Sequence, residues 1–158
     1  MARVPGTELH RHTHDVKALK KRLRSYMNKK GLRSTAQRRL ITDAFFNGPS
    51  HVSIEELLAL VRRDDPRVGY ATVYRTLKLF TECGIAAERN FGDGPSRYEL
   101  SDESDRDHHD HLICTECGKI IEFHDERIER LQQEVADAFG FAIESHKHEV
   151  YGLCGDCQ

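Results

Sequence analysis

Residues 108–123 read HHDHLICTECGKIIEF, and this stretch places imidazole and carboxylate side chains directly before a pair of cysteines. The Cys114-x-x-Cys117 pair recurs downstream as Cys154-x-x-Cys157. Two sulfurs at this spacing form a knuckle, and two knuckles together offer the four tetrahedral thiolates that suit Zn²⁺. Because four thiolates leave no open coordination position, the sequence predicts a structural zinc site made by Cys114, Cys117, Cys154 and Cys157.

Two other interpretations of these cysteines stay open on the sequence alone. They could be unrelated pairs of packing cysteines, or one pair could be a redox motif, although a thioredoxin-like context is missing. In a reducing cytoplasm, paired C-x-x-C motifs indicate metal ligation before disulfides. We therefore expect zinc, and we expect loss of any one cysteine to unfold the domain that holds it.

A second cluster of metal-ligand residues, His108-His109-Asp110-His111, lies just before the first knuckle. On a strand, alternation would point His109 and His111 one way and His108 and Asp110 the other, so one strand can serve two metal sites. Imidazole and carboxylate bind divalent ions more reversibly than thiolates do, so such sites can sense metal. A solvated charged loop is the alternative. The residues that could complete the sites are His51, Glu99, Glu122, Glu129 and His146.

The pattern around these motifs predicts an α+β protein. Four helices followed by a hairpin at the turn Gly92-Asp-Gly-Pro95 are typical of a winged helix-turn-helix, and the C-terminal segment reads as a small α/β unit. The predicted helices start near Asp15, at the Thr35 cap, at the Ser53 capping box and near Tyr70, and a fifth follows the Asp125 cap. The predicted strands cover 85–91, 96–100, 112–114, 119–123 and 141–153.

Charge divides along the chain in the same way. Residues 1–84 hold 17 Lys and Arg against 8 Asp and Glu, whereas residues 85–158 hold 7 against 18. A basic half joined to an acidic half is typical of a nucleic-acid binder, with chance clustering of surface charge as the alternative. We expect a flexible arm over 1–14, a winged-helix domain over 15–100, a polar hinge over 101–107 and a second domain over 108–158.

Composition excludes several classes of protein. A length of 158 residues with 38% apolar content allows one or two small domains, and argues against a large enzyme. The sequence contains no run of eighteen apolar residues and no secretory signal pattern. We expect a cytoplasmic protein with no membrane partner.

From about Gly31 to Cys157 the chain resembles the ferric uptake regulator (Fur) family. The resemblance implies a winged-helix DNA-binding domain, a dimerisation domain, and repression of metal-uptake genes by a homodimer on palindromic double-stranded DNA when a regulatory metal is bound. The motifs that carry it are GLRSTAQR at 31–38, HVS at 51–53, ATVYR at 71–75, YEL at 98–100, the stretch at 108–123 and the closing C-x-x-C.

The resemblance also divides the ligands and names DNA contacts. It implies that Tyr74 and Arg75 of the fourth helix enter the major groove and that Arg33 lies near the minor groove. It implies a regulatory site of His51, Glu99, His109, His111 and Glu122, and an additional site of His108, Asp110, Glu129 and His146.

The regulatory metal is expected to be Fe²⁺ or another divalent ion. Peroxide-sensing relatives tend to use Asp where this chain has Glu99 and Glu122, and zinc-sensing relatives often add a Cys ligand, so an iron sensor is favoured. A zinc-uptake or peroxide-stress regulator stays the alternative. A small zinc hydrolase or a metal buffer is less favoured. The H-E-x-x-H signature of a zinc hydrolase is missing from the sequence, and neither class of protein needs a basic helical half. The chain departs from the family pattern at Cys83, His124 and His148 and in its N-terminus.

Overall fold

The computed structural model describes residues 7–9, 15–92, 94–101 and 109–158, and of residues 7–9 it describes the backbone. Much of the predicted arm and hinge lies outside these described residues, as does His108. The chain divides into two compact units, a helical unit within residues 13–106 and a sheet unit within residues 1–12 and 107–158. None of the helices in the described part of the chain has both the length and the apolar character that a membrane span requires.

The order of elements follows the predicted order, with one additional strand at the N-terminus. The elements are β1 (Thr7–Leu9), α1 (Val16–Lys29), α2 (Ala36–Asn47), α3 (Ile54–Val61), α4 (Tyr70–Glu82), β2 (Ala86–Arg89), β3 (Arg97–Leu100), β4 (Asp110–Cys114), β5 (Ile120–Asp125), α5 (Glu126–Ala138) and β6 (Glu149–Gly152).

Capping side chains determine where the helices begin. Thr35 Oγ1 accepts from the backbone N–H of Arg38 at 3.2 Å, which starts α2. Ser53 and Glu56 form the predicted capping box, in which each side chain accepts from the backbone N–H of the other. Such caps satisfy N–H groups that a helix start leaves without partners, and each contributes about 1 kcal/mol.

The core of the helical unit forms where the apolar stripes of its helices meet. Leu57, Val73 and Phe80 are fully buried, and the rings of Phe45 and Phe80 lie 5.3 Å apart. Each such side chain contributes about 1.5–3 kcal/mol through burial. Packing of this stripe fixes which face of α4 points to solvent.

A short bridge attaches the hairpin to the start of α3. Val52 and Tyr98 exchange backbone hydrogen bonds of 3.0 and 2.9 Å, and β2 pairs with β3 so that Ala87 lies opposite Glu99. The residues on either side, His51 and Glu99, are thereby held next to each other.

The sheet unit has the strand order β1-β5-β4-β6. Strand β5 is antiparallel to both β1 and β4, whereas β6 runs parallel to β4. The Asp125 side chain accepts from the backbone N–H of Arg127 at 2.9 Å and starts α5, as predicted. The sheet brings the C-terminal segment alongside the first cysteine knuckle.

The prediction of a strand over 141–153 is wrong in length. Only Glu149–Gly152 form β6, because a strand extends only as far as its partner offers backbone groups, and β4 pairs with it over four residues. Strand β1 was not predicted, since three residues without a turn signal leave no pattern in the sequence.

Candidate metal centres and nucleic-acid surface

The four knuckle cysteines lie together in the sheet unit. Their Sγ atoms are all within 4.8 Å of one another, and those of Cys117 and Cys154 are 3.7 Å apart. A tetrahedron of sulfurs at the usual Zn–S distance has edges of about 3.8 Å. The parallel register sets this spacing, because it places Cys114 opposite Gly152 and the Thr115 N–H donates to the Gly152 carbonyl at 2.9 Å.

The protonation of these thiols indicates a site that needs a cation. Backbone N–H groups of Cys117 and Cys154 point at Cys114 Sγ, the second from 3.3 Å, and they lower the pKa of that thiol to about 6. Hydrogen bonding to the Cys117 and Cys154 sulfurs raises the pKa of Cys157 to about 12. Several adjacent thiolates repel one another unless a metal neutralises them, so the donor set fits Zn²⁺.

Zinc binding at this site is expected to release protons. The pKa of Cys157 is about 12 and that of Cys117 is raised above its ordinary 9.0, so near pH 7 both thiols are protonated and must lose a proton to ligate. The metal-bound state therefore holds fewer protons, and zinc affinity falls as the pH falls, most steeply once Cys114 also protonates near its pKa of about 6.

A pH indicator in weak buffer measures this release when Zn²⁺ is added to metal-free protein. We expect at least two protons in total, one from Cys117 and one from Cys157. The Cys83→Ala variant, which keeps all four knuckle thiols, should release the same number. Zinc binding without proton release near pH 7 would contradict the assignment of these thiols as ligands.

A buried imidazole and a buried carboxylate lie side by side in the helical unit. His51 Nε2 is 2.7 Å from Glu99 Oε2, and the other carboxylate oxygen accepts from Arg89 Nε at 2.7 Å. The ring of Phe91 contacts His51 edge-on, with centroids 5.8 Å apart. An imidazole nitrogen and a carboxylate oxygen are thus held in fixed positions. Arg89 orients the carboxylate by a hydrogen bond, as residues that surround metal ligands commonly do.

Three further residues of the expected regulatory set lie in the sheet unit. His111 and Glu122 are opposite each other on β4 and β5, with ligand atoms within 4.8 Å, and both are buried. His109 precedes β4, and its ring centroid is 4.8 Å from that of His111. His109 and His111 are therefore close together, as strand alternation predicts.

The remaining expected ligands form a third group, also in the sheet unit. Asp110, Glu129 and His146 offer ligand atoms within 4.8 Å of one another, and His146 Nε2 is 3.5 Å from Glu129 Oε1. His108, assigned to this group by the resemblance, lies outside the described residues. His148, which the sequence analysis noted as a departure from the family pattern but assigned to no site, has its Nδ1 3.3 Å from Asp110 Oδ2. Its spacing of two residues from His146 was the signal in the sequence.

The surface expected to meet DNA is exposed. Tyr74, Arg75 and Lys78 point away from the buried stripe of α4, and Tyr74 is 44% exposed. Arg33 is exposed in the segment before α2. A helix whose outer face presents a ring and two cations can reach base edges and phosphates in a major groove.

Comparison with known proteins gives consistent matches. The model of the ferric uptake regulator family matches residues 29–151. A ferric uptake regulation protein of Campylobacter jejuni is 38% identical over 141 residues, which cover 88% of each chain. The structure of the Helicobacter pylori ferric uptake regulator Fur, which reveals three functional metal binding sites, has a TM-score of 0.80 at 31% identity and covers 94% of this chain and 97% of that one. A zinc-bound manganese uptake regulator has a TM-score of 0.71 at 40% identity, covering 84% and 98%.

Proposed function

Because the chain belongs to the ferric uptake regulator family, whose members are transcription regulators rather than enzymes, we propose that it is an Fe²⁺-responsive repressor of metal-uptake genes. It acts in the cytoplasm as a homodimer on palindromic double-stranded DNA. The observation that carries the proposal is the buried His51–Glu99 pair, with 2.7 Å between Nε2 and Oε2. It provides metal-ligand chemistry within the unit that binds DNA.

In this proposal the regulatory metal joins ligands from both units. His51 and Glu99 belong to the DNA-binding domain over 15–100, and His109, His111 and Glu122 belong to the dimerisation domain over 108–158, across the hinge 101–107. An ion shared by both sets favours one arrangement of the domains. DNA affinity then rises with the fraction of protein in that arrangement, and metal and DNA strengthen each other's binding reciprocally.

The other metal sites have different roles. Zn²⁺ on Cys114, Cys117, Cys154 and Cys157 is structural, because four thiolates close the coordination shell. The additional site is assigned to His108, Asp110, Glu129 and His146. Its donors are all nitrogen and oxygen, so it binds a divalent ion more reversibly than the cysteine site does.

An exposed apolar face supports the homodimer. Leu131, Val135, Phe139 and Phe141 lie on and just after α5, and Phe139 is 85% exposed. Several large apolar side chains exposed on one face are typical of a protein–protein interface, and a symmetric dimer covers the same patch on both subunits. The proposed occupant is therefore a second copy of the chain.

The choice of regulatory metal rests on the donor set. Imidazole and carboxylate ligands without sulfur suit Fe²⁺, Mn²⁺ and Zn²⁺. Glu at positions 99 and 122 and the lack of a cysteine favour iron over peroxide or zinc sensing. An operator selected from a random duplex library, titrated anaerobically with each ion, tests the proposal. We expect Fe²⁺ to support operator binding. Operator binding at lower concentrations of Zn²⁺ or Mn²⁺ than of Fe²⁺ would make the chain a regulator of that metal. Operator binding that responds to none of the ions would reject metal regulation.

Arg75→Ala is expected to weaken operator binding while metal content stays unchanged. Loss of a bidentate guanine contact costs about 1–3 kcal/mol in each subunit, and loss of a phosphate contact reduces the salt slope by about 1. Fluorescence anisotropy on operator and scrambled duplexes at several salt concentrations distinguishes the two contacts. Arg130→Ala removes the same charge from the exposed surface of α5 and should bind normally. Unchanged affinity of the metal-loaded Arg75 variant would remove α4 from the DNA contact.

A further inference from the structure

Arg89 and Glu99 are diagonal neighbours on one face of the β2–β3 hairpin. Ala87 lies opposite Glu99, and side chains two positions apart on a strand point the same way. Arg89 Nε donates to Glu99 Oε1 at 2.7 Å. The side chain of Glu99 is 4% exposed and that of Arg89 is 42% exposed, so a partly solvated guanidinium reaches a buried carboxylate.

The two carboxylate oxygens of Glu99 face different groups. Oε2 is 2.7 Å from His51 Nε2, whereas Oε1 accepts from Arg89. The His51 ring is buried and packs edge-on against Phe91 with centroids 5.8 Å apart, which restricts its rotation. An ion bound by both His51 and Glu99 would therefore meet Oε2 first, with Oε1 directed at a cation.

Charge repulsion opposes a metal bound to both oxygens of Glu99. Such an ion would lie about 2.1 Å from Oε1. The same oxygen has the Arg89 nitrogen 2.7 Å away, so two cations would share one atom. Arginine does not lose its charge in proteins, and a buried site screens the repulsion poorly. Binding through Oε2 alone avoids this conflict.

We propose that Arg89 restricts Glu99 to binding the regulatory ion through Oε2 alone, and that it thereby disfavours Mn²⁺ at this site. The inference rests on the proposed function in taking Glu99 as a ligand of that ion. Mn²⁺ prefers carboxylate oxygens and six-fold coordination, whereas Fe²⁺, Co²⁺ and Zn²⁺ accept imidazole-rich sets. Removing one oxygen from the donor set therefore costs Mn²⁺ more than the other ions. Arg89 acts through Glu99 and is a positioning residue.

Arg89→Met in the full-length, zinc-loaded chain tests the proposal, because methionine keeps an unbranched stem and removes the cation. Electron paramagnetic resonance of free Mn²⁺ and visible absorption of bound Co²⁺ give the two affinities, and the Glu99→Gln variant identifies the site that Glu99 serves. We expect Arg89→Met to raise Mn²⁺ affinity relative to Co²⁺ affinity by about ten-fold there. Its Co²⁺ absorption should also weaken, since six-coordinate Co²⁺ absorbs less than four- or five-coordinate Co²⁺.

Arg97→Met is the matched control. Arg97 lies opposite Arg89 on the same hairpin, but its guanidinium pairs with Glu56 at 2.8 Å. The charge change is the same in both variants, and only Arg89→Met removes a contact with Glu99. We expect Arg97→Met to leave the ratio of the two affinities and the Co²⁺ absorption unchanged.

The outcomes separate this inference from the proposed function. Equal shifts in both arginine variants would show a general effect of charge, and an unchanged ratio in Arg89→Met would show that Arg89 has no part in metal preference. If Glu99→Gln changes neither affinity, Glu99 holds no ion. The inference is wrong in each of these cases. Operator binding on the same samples tests the proposed function: a chain that binds its operator alike with every ion and with none rejects the function, while the ratio of affinities still decides the role of Arg89.

Discussion

Cys117→Ser is expected to unfold the sheet unit while the helical unit stays folded. A structural zinc site contributes about 10 kcal/mol to folding at neutral pH. The sheet unit has little else to replace it, since its buried apolar side chains among the described residues are Ile113, Cys114 and Phe123, and α5 buries none of its own. Cys117 is exposed, so serine removes a ligand and almost no packing.

Hydrogen exchange resolved by peptide measures this effect in the full-length chain. We expect protection to disappear from β4, β5 and β6 and to persist in α2 and α4, with zinc content falling in parallel. A chelator acting on the unmutated chain should give the same pattern. Cys83→Ala is the control, because Cys83 is buried in the helical unit: it should keep its zinc and lose about 1 kcal/mol there. Retained zinc and full protection in Cys117→Ser would show that the thiolates do not hold the unit together.

Glu99→Gln is expected to abolish the stimulation of DNA binding by metal. The substitution keeps the shape of the side chain but removes the carboxylate charge that faces His51 from 2.7 Å. Arg89 loses its ionic partner at little cost, because its side chain is 42% exposed and can turn to water. Loss of one charged ligand lowers metal affinity by at least about 10–100-fold, so the DNA-binding arrangement is no longer populated.

The measurement is operator affinity with and without added Fe²⁺ under anaerobic conditions. Glu88→Gln is the matched control, since Glu88 is exposed on the same hairpin and the charge change is identical. We expect the control to respond to metal as the unmutated chain does, and Glu99→Gln to bind weakly under both conditions. An unaltered metal response in Glu99→Gln would eliminate the shared-ion mechanism, even with the zinc site intact.

Local signals in the sequence account for much of the fold. The caps at Thr35, Ser53 and Asp125 were predictable because a helix start is satisfied by residues within three positions of it. The exposed face of α4 followed from helical periodicity, since Val73, Leu77 and Phe80 have to share the buried side. The zinc-ligand role of the two C-x-x-C knuckles was also predictable, because the spacing of the two sulfurs in each knuckle is set within four residues.

Features that depend on strand pairing were not predictable in the same way. The length of β6 follows from its register with β4, and the sequence of 141–153 does not contain that register. Arg89 reaches Glu99 because the pairing of Ala87 with Glu99 makes them diagonal neighbours, within reach of a long side chain. The contact of His148 with Asp110 likewise requires β6 to lie beside β4.

The parallel pairing of β4 with β6 also constrains the order in which the sheet unit can fold. Antiparallel strands joined by a short turn can pair residue by residue outward from that turn. Cys114 and Cys154 are 40 positions apart, so the chain between them must lose conformational entropy before the first hydrogen bond between β4 and β6 forms. A zinc ion that is bound by one knuckle and then also binds the other brings the two ends of this 40-residue loop together in a single step. We therefore expect Zn²⁺ to accelerate the folding of the sheet unit in addition to stabilising the folded structure, which refolding rates measured with and without the metal would show.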